Sequence, residues 1–299
     1  MTQDLAVTSD QIRNAVAALK TKRPAYTEML NFYEQMFAAQ EDAKNQIQIT
    51  PLEIPSDILS MKMKEQFPLI SLSEFLIDTA ASEVLFRKIC QIAVAANEQM
   101  GTAVQILSDA LENGKLLPEK LFTGLLCEND ALFEENANTL GIDKAVLAFV
   151  TYNSIRPSLN LCAEQLSTYL EHQKKWEKGY CPVCGSSPVL SMLQKKSQLP
   201  PLGIEGGNSS EGERFLFCSF CWHRWLVRRI GCPFCDNRDA NSLQYFYTEE
   251  EQEYRVDVCD KCGRYIKTVD TRKMERIFYP PLEQVVTLHL DMKAGEMKR

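Results

Sequence analysis

Four Cys-x-x-Cys pairs lie between Cys181 and Cys262, and no other feature of this 299-residue chain constrains its fold as tightly. The pairs are Cys181/Cys184, Cys218/Cys221, Cys232/Cys235 and Cys259/Cys262, with 33, 10 and 23 residues between successive pairs. Two residues between cysteines let both thiolates face one ion. Two such knuckles supply four thiolates, a closed tetrahedral site. Pro follows the first cysteine at Cys181 and Cys232, and Gly follows the second at Cys184 and Cys262. Both suit the tight turn of a knuckle, and Gly suits a positive φ. The eight cysteines are therefore read as ligands of two metal ions, iron or zinc, which tetrahedral thiolate geometry alone does not separate.

Four pairs combine into two sites in three ways. Sequential pairing joins Cys181/Cys184 to Cys218/Cys221 and Cys232/Cys235 to Cys259/Cys262. Interleaved pairing would give a cross-braced arrangement. Sequential pairing is favoured because each half then owns a hairpin. Pro188–Leu193 and Phe215–Phe217 flank a Pro/Gly/Ser-rich loop over Lys195–Glu213, and Leu243–Tyr247 and Tyr254–Val258 flank a polar turn. Tyr265–Val269 reads as a further strand. The expected result is two small rubredoxin-like or zinc-ribbon β modules in tandem.

A redox-dithiol reading is weaker, because the pairs sit beside strands without a βαβ context. His223 lies two residues after Cys221, but four cysteines already close that site, so it reads as a neighbour of the site. His172 and His289 are isolated. A metal held by four thiolates is a net anion, and Arg224, Arg228, Arg229, Arg238, Lys261, Arg264 and Lys267 are candidate counter-charges. Trp222, Trp225, Arg228 and Arg229 form an aromatic-basic strip between the modules. It reads either as packing between them or as a contact surface for a partner.

Charge divides the chain near residue 175. Residues 1–175 hold 15 Lys+Arg against 23 Asp+Glu, and residues 176–299 hold 18 against 17. The acidic part reads as helical. Leu30, Phe32, Tyr33 and Phe37 follow Pro24 at helical spacing, and Ser73 is a candidate cap before Phe75, Leu76, Ala80 and Val84. Asp143 is a candidate cap for the helix from Ala145, which Pro157 is expected to kink or to restart. An all-α bundle of about six to eight helices is expected, with Cys90, Cys127 and Cys162 as small core residues. Leu282–Met297 reads as an amphipathic segment returning to the body.

The fold class is thus α+β. Its expected parts are a helical domain over 1–175, four-cysteine modules over 176–229 and 230–275, and a tail over 276–299. A formal net charge of -7 argues against a generic basic nucleic-acid binder. Met1–Asn14 shows no apolar signal core, and no apolar run reaches membrane-spanning length, so a reducing cytoplasm is expected and no membrane partner. There, cysteine pairs read as metal ligands before disulfides.

The run Tyr180-Cys-Pro-Val-Cys-Gly-Ser186, the run Arg214 to Trp222, Trp225-Leu-Val-Arg-Arg-Ile-Gly-Cys-Pro-Phe-Cys235 and the segment Val258 to Asp270 resemble the formate dehydrogenase accessory protein family FdhE. Ile155-Arg-Pro157 and Leu288-His-Leu-Asp-Met292 are also similar. The resemblance is specific over residues 176–294. All eight paired cysteines occupy the family's motif positions. It implies a cytoplasmic accessory factor and no enzyme, one that binds the catalytic subunit of formate dehydrogenase during its maturation and whose rubredoxin-like modules are associated with iron. Two alternatives come from other classes: a rubredoxin-like redox sensor or electron carrier, and a zinc-ribbon nucleic-acid-binding protein. A homo-oligomer is left open.

Overall fold

The computed structural model describes residues 7–171, 176–195, 212–248 and 250–296. They form two compact units, one of 1–53 with 70–166 and one of 54–69 with 167–299. The helices before the sheet are α1 (Ser9–Lys22), α2 (Thr27–Lys44), α3 (Ser56–Glu65), α4 (Thr79–Ala93), α5 (Glu98–Glu112), α6 (Pro118–Leu126), α7 (Asp130–Leu140) and α8 (Lys144–Ser167). The sheet unit holds β1 (Pro188–Gln194), β2 (Glu213–Cys218), β3 (Arg224–Val227), β4 (Leu243–Phe246), β5 (Tyr254–Cys259) and β6 (Tyr265–Asp270), followed by α9 (Pro280–Val286) and α10 (Leu288–Glu296). Among the described residues no helix is long and apolar enough to cross a membrane.

The helical unit is built from amphipathic stripes. In α1, Ile12, Ala15, Val16 and Leu19 recur three and four residues apart and are buried. Thr8 and Gln11 close a reciprocal capping box at its start. Asp78, not Ser73, caps α4, accepting the Ala81 N–H at 3.0 Å. Ser71 heads a separate short turn over Leu72–Glu74. Asp143 accepts the Ala145 N–H at 2.7 Å, at the start of α8.

Pro157 neither ends nor restarts α8, which runs through it. A proline lacks the N–H that would bond the carbonyl four residues back, here that of Asn153. The fully buried Gln40 of α2 supplies the missing donor, its Nε2 lying 2.7 Å from the Asn153 carbonyl and 3.1 Å from Asn153 Oδ1. A side chain from a neighbouring helix thus satisfies an acceptor that the local sequence leaves open.

Cys90 and Cys162 are buried, whereas Cys127 is exposed. Cys127 is the C-cap of α6, one residue beyond the buried Leu126, so it turns away from the apolar face.

In the sheet unit both hairpins merge into one six-stranded sheet, ordered β3-β2-β1-β6-β5-β4. The central β1–β6 pair is parallel and the other pairs are antiparallel. Strand β3 adds to the predicted strands and pairs with β2. The Pro/Gly/Ser-rich loop falls mostly at 196–211, outside the described residues, as does His172.

Alternation sorts the side chains of the sheet. Leu190, Met192, Phe215, Val256 and Val269 share one face by register. Residues of α9 and α10 bond side chains of that same face. Tyr254 donates to Glu283 at 2.7 Å, Arg276 grips both Glu283 oxygens at 2.6 and 2.7 Å, and Lys267 pairs with Asp291 at 2.6 Å. The expected amphipathic tail is therefore two helices anchored by buried polar groups.

Candidate metal centres

Each Cys-x-x-Cys turn is closed the same way. The N–H of the first cysteine donates to the carbonyl five residues on: Cys181 to Ser186, Cys218 to His223, Cys232 to Asn237 and Cys259 to Arg264, at 2.9 to 3.0 Å. The residue after the second cysteine has positive φ in all four turns: Gly185 at 79°, Trp222 at 59°, Asp236 at 54° and Gly263 at 66°. Glycine takes that conformation freely, while Trp222 and Asp236 hold it at a cost of roughly 1–2 kcal/mol each. The knuckle geometry is thus imposed even where the sequence carries no glycine. Backbone N–H groups also point at sulfur, from Phe220 and Cys221 to Cys218 Sγ at 3.3 and 3.4 Å, and from Phe234 to Cys232 Sγ at 3.4 Å.

The knuckles meet in sequential order. Cys181, Cys184, Cys218 and Cys221 form one cluster, and Cys232, Cys235, Cys259 and Cys262 the other, with the sulfurs of each within 4.8 Å of one another. In the first, Cys181–Cys221 and Cys184–Cys221 are 3.7 Å apart and Cys184–Cys218 is 3.4 Å. In the second, Cys232–Cys262 and Cys235–Cys259 are each 3.7 Å. A tetrahedron with metal–sulfur bonds of about 2.3 Å has edges of roughly 3.8 Å, so the donor sets fit such an ion. Each cluster can hold a metal ion, and thiolate ligands alone accept iron or zinc.

Protonation follows the same crowding. In the first cluster burial pushes Cys181 and Cys221 up, while hydrogen bonds from Cys181, Cys218 and Cys221 hold Cys184 well below the ordinary thiol range. In the second, burial pushes Cys232 up to about 12. Burial also opposes ionisation of Cys259, but the Cys262 N–H, the Asn237 amide and the Lys261 N–H lower it to about 7. A bound cation would have to displace the protons these thiols still hold, so metal uptake would release protons and depend on pH.

Asn237 is a site residue that the cysteine pattern does not announce. It is buried, its carbonyl closes the third knuckle, and its Nδ2 lies 3.5 Å from Cys259 Sγ and 2.7 Å from Ser242 Oγ. An Asn just past a turn is the only signal that could have raised it. Residues 66–69 are a second omission. The Leu69 N–H donates to the Pro182 carbonyl at 2.9 Å, and Gln66 accepts the Tyr180 hydroxyl at 2.7 Å. They pack a distant segment onto the first knuckle.

The other named residues are spread around the clusters. His223 gives its carbonyl to a knuckle, and burial lowers its imidazole to about 4. Trp225 is buried and donates to the Lys178 carbonyl at 3.3 Å. Trp222 and Arg229 are half-buried, and Arg228 is exposed, 3.7 Å from Glu177. Among the candidate counter-charges, Lys267 is committed to Asp291, Arg238 pairs with Asp236 at 2.6 Å, and Arg264 lies over the Phe234 ring at 3.9 Å.

The fold and site define a metal-binding protein in which a helical unit accompanies tandem rubredoxin-like four-cysteine modules on one sheet. Residues 180–229 match the family model described as FdhE, central domain. The chain is similar to FdhE proteins both within this segment and beyond it. It is 28% identical over 283 residues to the "Protein FdhE homolog" of Aquifex aeolicus, covering 95% of this chain and 89% of that one. It is 30% identical over 152 residues to the "Protein FdhE" of Escherichia coli, a match spanning 49% of this chain and 42% of that protein. The crystal structure of the FdhE protein from Pseudomonas aeruginosa shares the fold, with a TM-score of 0.60 at 17% identity over 98% of this chain and 94% of that one.

Proposed function

We propose that this protein is a non-enzymatic accessory factor of formate dehydrogenase, acting in the cytoplasm and binding the catalytic subunit during its maturation. The observation that carries this reading is the order of four knuckles in a chain similar to FdhE proteins, assembled into two clusters on one sheet. The eight cysteines would each ligate one of two ions, iron or zinc. Bound metal would lock the knuckles, supplying folding energy that short hairpins lack. The helical domain, 1–175, would dock the subunit. Within the aromatic-basic strip, contact with a partner would fall to Trp222, Arg228 and Arg229, since Trp225 is buried.

The test is deletion of the gene in its host, with formate dehydrogenase activity and polypeptide measured together. The reading predicts lost activity with the catalytic polypeptide still made, restored by the wild-type gene. Unchanged activity would overturn it.

A further inference from the structure

The two clusters differ in their access to water. In the first, Cys181, Cys184, Cys218 and Cys221 are 0%, 7%, 0% and 1% exposed. The segment at 66–69 packs on its first knuckle. Leu69 bonds Pro182, and Pro68 sits so near that a Cβ on Gly185 would lie 2.9 Å from its Cγ. Val183, inside the same knuckle, is fully buried. In the second cluster Cys232 and Cys259 are buried, but Cys235 is exposed and Cys262 is partly exposed. The residues beside those two sulfurs, Asp236, Lys261 and Gly263, are exposed as well.

Exchange of a metal held by four thiolates requires an incoming donor to reach the ion while a thiolate departs. The surrounding shell decides whether that approach is open. All four cysteines of the first cluster are buried. The second offers Cys235 and Cys262, which come from different knuckles, so approach there does not need the sheet to open.

We infer that the second cluster is a metal-exchange centre and that the first is a fixed structural one. This rests on the reading that both clusters hold metal. An incoming nitrogen or sulfur donor binds the ion from the exposed side, and the bond to the Cys235 sulfur breaks. The freed thiolate takes a proton from water, and no electron is transferred. One site then passes a divalent ion to or from a partner ligand while the other keeps the sheet intact.

The experiment uses the full chain reconstituted with zinc. Bound zinc is counted first. A chromogenic zinc chelator is then added, and the thiols freed in the fast phase are alkylated and mapped by mass spectrometry. The expected result is two ions per chain, one leaving about tenfold or more faster, the scale on which a surrounding shell changes metal binding. Alkylation should fall on Cys232, Cys235, Cys259 and Cys262, with the first four cysteines protected. Cys235→His, which keeps a ligand in place, should change the fast phase and leave the slow one. Two bound ions that leave together, or first-cluster cysteines freed first, would overturn the inference alone. A chain that binds no zinc would overturn the metal reading and this inference with it.

Discussion

Arg214 on β2 donates to Asp257 on β5 at 3.0 Å, reaching over the two strands between them. Register explains how. Leu193 pairs with Arg214, Ser191 with Thr268, and Thr268 with Arg255, so Arg214, Ser191, Thr268, Arg255 and Asp257 share one face. Arg214 Nε also donates to Ser191 at 2.9 Å, Thr268 donates to Asp257 at 2.7 Å, and Arg214 Nη1 reaches the Gly231 carbonyl at 2.9 Å. Gly231 precedes the third knuckle, so this one guanidinium ties both modules and their connection together.

The Arg214 side chain is 4% exposed, so removing its acid leaves a buried charge uncompensated. Asp257→Ala should destabilise the sheet unit by about 3 kcal/mol in denaturant titration. Replacing both partners by apolar residues, Arg214→Met with Asp257→Leu, should cost less than the single change. Equal costs would show that the pair does not join the modules.

Gln40 and Pro157 should be coupled. Gln40→Met leaves the Asn153 carbonyl without its donor and should cost about 2 kcal/mol. In a Pro157→Ala background the restored N–H bonds that carbonyl, and the cost should shrink. A double-mutant cycle measures the difference, and strict additivity would refute the coupling.

Two glycines should respond in opposite measure to alanine. A Cβ on Gly179 would meet the Pro233 carbonyl oxygen of the third knuckle at 1.6 Å, so that backbone must shift. Gly179→Ala should cost about 3 kcal/mol or more. Gly263 has positive φ and open space around it, so Gly263→Ala should cost only about 1 kcal/mol. Thermal melts of the metal-loaded variants give the order.

The helical unit should weaken in alkali through Cys90. Burial raises its thiol from 9.0 to about 12, with Ser108 and Arg87 opposing. The unfolded chain therefore loses this proton first, and the stabilisation present below pH 9 falls away as pH rises towards 12. The loss is at most about 4 kcal/mol. Cys90→Ala should flatten the stability curve over that range, and an unchanged slope would exclude the effect. In thiol labelling near neutrality the exposed Cys127 should react before Cys90 or Cys162.

The ligand sets were legible because a knuckle is local: two cysteines, a turn and often a glycine lie within six residues. The strands of both hairpins were legible through alternation for the same reason. Positive φ at Trp222 and Asp236 was not, since neither residue advertises it. The parallel β1–β6 pairing joins segments whose separate patterns carry no register between them. Residues 54–69 read only as part of a helical region, and helical periodicity does not say which unit a helix joins. Passage of α8 through Pro157 depended on Gln40, more than a hundred residues away in the chain.

The central claim is that the two cysteine clusters are two separate metal centres. Native mass spectrometry of the anaerobically purified full chain, wild type and Cys259→Ser, tests it most directly. The account predicts two metal ions on the wild type and one on the variant, with Cys181, Cys184, Cys218 and Cys221 still protected from alkylation. A folded wild type without metal, or a variant that keeps both ions, would contradict it.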